Sequence, residues 1–338
     1  MKEINIFIRK KSTNYHHSVE RFADSLTNIS NIKNFRINIK KCPVTSKGFF
    51  RRLFLVFWSF FNQGDVNHIL GDINFISILM KKNITINTFL DCRLLNEFNG
   101  LKRWIYNFFW FQLPINNSKY NTFISEFTKL EIQKNIKKKI ILPKVIPVPL
   151  VEKLSFKINN NKKKKILIIG TLEHKNIKNM LKGIKGLYID LTIVGKLEEQ
   201  LEKFCKKNDI NFKNFVEIKD SKIKQLFKKN DILLMVSNYE GFGMPIIEAQ
   251  ASGMAVITSN LEPMRSVAGK YGLLVNPNKP QEIKKIIKKL ISNKNFFLKI
   301  ARKGKYNSSK YASNLVNKKY ENLYLKILKD ENHKMLSL

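Results

Sequence analysis

The sequence predicts an α/β protein built from two doubly wound parallel sheets. Three observations predict it. Short apolar, β-rich runs alternate with charged amphipathic stretches, this rhythm occurs twice, and a polar break separates the two occurrences. The length of 338 residues suits two domains, and an apolar fraction of 43% supplies both cores.

The first half offers strands at Ile4–Ile8, Arg36–Ile39, Val66–Leu70, Thr85–Leu90 and Thr122–Ser125. The second offers Ile166–Ile169, Leu191–Val194, Phe215–Ile218, Ile232–Ser237, Ala255–Thr258 and Leu273–Val275. Several are unbroken apolar runs, the pattern of parallel strands covered on both faces. Between them lie helical stretches such as Ser221–Lys229. Pro143, Pro147 and Pro149 close the first half, and 151–163 is polar, lysine-rich and asparagine-rich. The expected organisation is therefore a domain over 1–150, a linker over 151–163 and a domain over 164–310. A helix over 311–330 is expected to pack back toward the first domain. Ligands of such sheets bind at the carboxyl ends of the strands, so the two domains should share a cleft.

Lys and Arg total 62 against 26 Asp and Glu, a formal net charge of +36. An anionic membrane, an acidic small substrate and nucleic acid all fit that excess, as does a lysine-rich solvated surface with no partner. Cys42, Cys92 and Cys205 are scattered and odd in number, which suggests neither a disulfide framework nor a metal site. The chain enters a strand from its first residues without a signal-peptide pattern, and the apolar run Leu53–Phe61 is too short to span a bilayer. A cytoplasmic protein is expected. No GxGxxG follows either opening strand, which disfavours a dinucleotide cofactor.

The chemistry concentrates in Glu240-Gly241-Phe242-Gly243-Met244-Pro245-Ile246-Ile247-Glu248. A strand over Ile232–Ser237 runs into this turn, and Pro245 suits the first turn of a helix that stops at Gly253. Gly241 and Gly243 let the backbone approach a ligand. Amides of Phe242, Gly243 and Met244 at a helix N-terminus favour a phosphate. Glu240 and Glu248 would repel phosphate but accept hydrogen bonds from hydroxyls. Hydroxyls on both sides of a phosphate bridge describe a nucleotide-sugar.

The run EGFGMPIIEAQASGMAVITS resembles the E-x7-E signature of retaining GT-B glycosyltransferases, family 4, of the bacterial surface-polysaccharide mannosyl- and rhamnosyltransferase kind. The likeness extends from about 164 to 278. It takes in Gly170-Thr171, His174-Lys175-Asn176, the strand after Asp231, and Glu262-Pro263-Met264 leading to Gly269. The resemblance implies two Rossmann-like domains facing across a cleft, with a nucleoside diphosphate sugar as substrate and neither metal nor cofactor. It places Glu248 on the ribose and Glu240 on the transferred sugar, with Gly170, Thr171, Lys175 and Asn176 near the diphosphate and Val216 and Ile218 near the base. Relatives often carry Arg where this chain has Thr171, which leaves the diphosphate to Lys175 with helix dipoles or to another base.

The first half resembles the family more weakly. Arg9, His16, His17, Ser18, His68, Asp72 and Asp91 are the acceptor-side candidates, and Asp91 joins Glu240 as a catalytic candidate. The usual paired glycines after the first strand are missing, and Leu90 replaces a common His. For His68 a structural role is as open as a ligand contact. Two basic–aromatic runs, Phe49–Phe61 and Leu101–Trp110, read equally as interfacial helices or as core helices.

The expectation is transfer of a hexose or deoxyhexose, with retention, to a hydroxyl of a glycan or lipid-linked acceptor in bacterial O-antigen, capsule or lipopolysaccharide synthesis. The enzyme would sit peripherally on the cytoplasmic membrane. A noncatalytic scaffold of the same fold and a nucleic-acid-binding protein are the rival readings.

Overall fold

The computed structural model describes residues 1–10, 18–29, 35–137, 140–151, 154–159 and 161–336. The chain divides into two compact units, Met1–Val151 with Ser313–Leu338, and Glu152–Ala312.

The first unit begins β1 (Lys2–Ile8), α1 (Ser18–Thr27), β2 (Phe35–Lys41), α2 (Phe49–Phe61), β3 (Val66–Leu70) and β4 (Thr85–Phe89). It continues with α3 (Arg93–Glu97), α4 (Gly100–Asn107), α5 (Leu113–Asn116), β5 (Tyr120–Phe123), α6 (Glu126–Asn135) and β6 (Pro143–Val145). A π-helical turn, Phe108–Gln112, joins α4 to α5. The strands form one parallel sheet in the order β2-β1-β3-β4-β5-β6. Ser125 caps α6 by accepting the Thr128 amide at 3.0 Å, as its position before a helix implies. The edge strand β6 was not expected, because prolines suppress a strand signal; here Pro143 opens the strand, where proline is tolerated.

The second unit comprises β7 (Lys164–Ile169), α7 (Ile177–Ile184), β8 (Ile189–Val194), α8 (Glu199–Lys207), β9 (Phe212–Phe215), α9 (Asp220–Lys229) and β10 (Ile232–Met235). It ends with α10 (Met244–Ser252), β11 (Ala255–Ser259), α11 (Met264–Ala268), β12 (Leu273–Val275), α12 (Pro280–Ser292) and α13 (Lys294–Ser309). Its parallel sheet has the order β12-β11-β10-β7-β8-β9. Ile166, Ile168, Leu191, Ile193 and Leu234 are buried in its core. The segment read as a linker is pinned to this unit: the Lys157 amide donates to Ser252 O at 3.1 Å, and the Asn159 side chain donates to Lys228 O at 2.8 Å.

The last helix, α14 (Ser313–Leu336), belongs to the first unit. Its stripe of Val316, Tyr320, Leu323, Tyr324 and Ile327 is fully buried. Burying each such side chain stabilises by about 1.5–3 kcal/mol. Tyr320 packs edge-on against Phe22, and the Asn317 side chain donates to Ser25 O at 2.6 Å. Tyr120 and Lys119 both reach Asp330, at 2.7 and 3.2 Å.

Candidate nucleotide-sugar site

In the second unit β7 lies between β10 and β8, so the chain turns away from β7 in opposite directions on its two sides. A crevice forms at such a switch point, outside the carboxyl ends of the two strands. The loops that leave β7 and β10 are the two that carry the sequence motifs.

The loops are tied together. The Asn238 amide donates to His174 O at 2.8 Å. Lys175 Nζ lies 2.6 Å from Glu240 Oε1, and both side chains are largely buried. The same oxygen accepts from Ser237 Oγ at 2.7 Å. Ser237 in turn is braced by Ser259, whose hydroxyl donates to Ser237 O at 2.5 Å. The carboxylate expected on the sugar side and the ammonium expected on the phosphate side are thus an ion pair. Sequence reasoning missed Ser237; its place at the end of a buried strand, three residues before Glu240, was the available signal.

Gly243 adopts φ 98°, a left-handed value that disfavours any residue with a Cβ, and α10 starts on the next residue. In the first turn of α10 the Ile246 amide donates to Gly243 O at 2.9 Å and Pro245 carries no N–H, so the donors left to face a ligand are the amides of the loop and of Met244. Phe242 is buried edge-on against Tyr311 at 5.5 Å, which holds the loop from behind. Tyr311 was not a candidate, because 69 positions separate it from Phe242 in the numbering and only packing joins them. Glu248 is buried within α10, one turn along from Met244.

On the β7 side Gly170 has φ 93° and lies under the Lys175 side chain. Thr171 is half-buried against Gly195, where a Cβ would meet Thr171 Oγ1 at 2.7 Å. Asn176 departs from expectation. It occupies the left-handed region at φ 60°, and its amide donates to Val236 O and Pro277 O at 3.0 and 2.8 Å. Its side-chain nitrogen thereby braces the two loops. Val216 and Ile218 were expected on a strand, but β9 stops at Phe215 and Glu217 takes φ 56°. They stand on the loop after the strand, with Val216 exposed.

The first-unit candidates fall into four groups. Arg9 and Asp72 follow β1 and β3, adjacent strands at that sheet's own switch point, and pair at 3.3 Å. Ser18 is exposed at the start of α1, while His16 and His17 lie outside the described residues. Asp91 is exposed after β4 and accepts the Arg93 amide at 3.1 Å, which shapes the entry to α3.

His68 is not on an acceptor surface. It is wholly buried; Nδ1 lies 2.7 Å from the Tyr324 hydroxyl and Nε2 lies 2.7 Å from Thr88 Oγ1. Its ring stacks on Tyr320 at 5.2 Å. Burial pushes its pKa down from 6.5 to about 3, so the ring is neutral. His68 is a clasp between β3 and α14.

Residues 151–310 match the family model described as Glycosyl transferases group 1. That span holds every donor-side residue discussed above except Tyr311. An uncharacterized glycosyltransferase of Methanocaldococcus jannaschii is 25% identical over 218 residues, covering 63% of this chain and 61% of that one. The O-antigen chain mannosyltransferase B of Escherichia coli is 30% identical over 126 residues, covering 33% of this chain and 32% of that one. These alignments span less than two thirds of either relative's length. Among solved structures, HepE of Anabaena, in complex with UDP and glucose, superposes with a TM-score of 0.76 at 13% identity, covering 96% of this chain and 100% of that one. The α/β fold expected from the sequence, with two Rossmann-like units of the GT-B type, is the one observed.

Proposed function

We propose that the protein is a glycosyltransferase that moves a hexose or deoxyhexose from a nucleoside diphosphate sugar to a hydroxyl. The observation that carries this reading is the Lys175–Glu240–Ser237 cluster beside the N-terminus of α10, at the switch point of the second sheet. A diphosphate entering there meets the amides of Phe242, Gly243 and Met244 and an ammonium group, and sugar hydroxyls find a carboxylate acceptor. The donor's phosphate takes Lys175 from Glu240, and Glu240 turns to the sugar. Glu248 holds the ribose.

The reaction breaks the bond between the anomeric carbon and the diphosphate oxygen. The acceptor oxygen bonds to the same face of that carbon, with retention, and its proton passes to the leaving phosphate. Lys175 and the α10 amides stabilise the charge that develops on the diphosphate. No protein nucleophile, metal or cofactor is assigned a role. Lys175 supplies the cation, since Thr171 brings no charge to the loop after β7.

The match to an O-antigen mannosyltransferase supports a glycan acceptor in bacterial surface-polysaccharide synthesis. The same reading takes in a lipid-linked acceptor, the family 4 kind and a place at the inner face of the cytoplasmic membrane. Incubation with a panel of UDP-, GDP- and dTDP-sugars tests the proposal. Slow release of free sugar from one donor is expected. No turnover or binding of any donor would leave the scaffold reading, and salt-sensitive binding to any duplex would favour a nucleic-acid protein.

A further inference from the structure

The helix α2 is apolar on both sides. Leu55, Val56 and Ser59 face the core, as one stripe of a surface helix should. The opposite stripe should be polar, yet it carries Phe50, Leu53, Phe54, Phe57 and Phe61. These side chains are 43–83% exposed. Leaving this much apolar surface in water is costly, and contiguous apolar patches of this kind mark interaction sites.

A second segment of the same unit repeats the pattern. The helix α4 buries none of its residues, and Leu101 and Trp104 are exposed. The two segments are joined: the Arg52 guanidinium lies over the Trp110 ring, 4.8 Å from its centroid, and Trp110 follows α4 in the π-helical turn. They therefore form one surface.

The charged side chains that the two segments themselves contribute are all basic. Lys47, Arg51, Arg52, Lys102 and Arg103 are all exposed, while neither 43–64 nor 98–125 contains an Asp or Glu. Arg51 and Arg52 sit in the first turn of α2, where the helix dipole disfavours cations, and no acidic residue offsets them. Helix stability does not explain them; an anionic partner does. Among the described residues no helix is long and apolar enough to cross a membrane. We infer that this face lies on an anionic lipid bilayer, with the phenylalanines of α2 and Trp104 among the acyl chains and the five bases at the headgroups. Docking by this face is independent of which sugar is moved.

All three tryptophans, Trp58, Trp104 and Trp110, belong to this surface or its underside, so intrinsic fluorescence reports on it directly. The full chain is mixed with vesicles of phosphatidylcholine, or of phosphatidylcholine with phosphatidylglycerol, with and without brominated acyl chains. Quenching by the brominated anionic vesicles alone is expected, and it should fade as salt rises. Arg51→Gln with Lys102→Gln should weaken anionic-vesicle binding about 30-fold. Phe50→Ser with Phe57→Ser should weaken it about tenfold or more, and urea unfolding verifies that the variant is folded. Absence of quenching in the wild-type protein overturns the inference. So does unchanged binding in both folded variants, or a stable dimer that buries this face and ignores lipid.

Discussion

Acidification should destabilise the first unit through one histidine. His68 is wholly buried between Tyr324, Thr88 and Tyr320, with its pKa lowered from 6.5 to about 3 by burial. The unfolded chain takes up a proton on this ring below pH 6.5, but the folded chain does not until about pH 3. Stability from this group is therefore complete above pH 6.5 and is lost as pH falls. The loss is about 1.4 kcal/mol per pH unit, or about 2 kcal/mol at pH 5. The assay is urea unfolding at pH 7.5 and pH 5, followed by tryptophan fluorescence. All three tryptophans lie in the first unit, so the signal reads that unit. His68→Gln cannot titrate, and the other histidines are common to both proteins. Wild type should lose about 2 kcal/mol more than His68→Gln between the two pH values. Equal losses would refute the buried, neutral clasp.

Other predictions follow from the same contacts. Tyr324→Phe removes a hydroxyl 2.7 Å from His68 Nδ1 and should cost the first unit about 1–3 kcal/mol in urea unfolding at pH 7.5. Lys175→Met should raise the donor KM at least about tenfold, because a charge-assisted contact to the diphosphate is lost; an unchanged KM would remove Lys175 from the site. Glu240→Gln should mainly lower kcat and Glu248→Gln mainly weaken donor binding in calorimetry, and unchanged kinetics in both would sink the assignment of these carboxylates. Gly243→Ala places a Cβ 3.0 Å from Ile246 Cδ1 at φ 98°, so it should weaken donor binding by shifting the loop, with a thermal melt verifying the fold.

Much of this protein was legible in the order of its residues. Parallel strands such as Ile232–Met235 are buried on both faces and so read as unbroken apolar runs. The turn after β10 was legible because glycine, proline and a helix N-terminus are local requirements. The end of β9 was not, since the left-handed Glu217 leaves no mark in composition.

The sequence by itself determined the α/β class, the doubling of the sheet and the loop that carries Glu240 and Glu248, because periodicity and turn chemistry act between near neighbours. Only the tertiary structure decided what each polar group does. His68 and Tyr324 are 256 positions apart, and Lys175 and Glu240 are 65 apart. Hydrogen bonds and ion pairs depend on distance in space, and that distance is set by strand order. Strand order turned one candidate acceptor histidine into a structural clasp and brought a surface-type lysine onto the carboxylate of the proposed donor site.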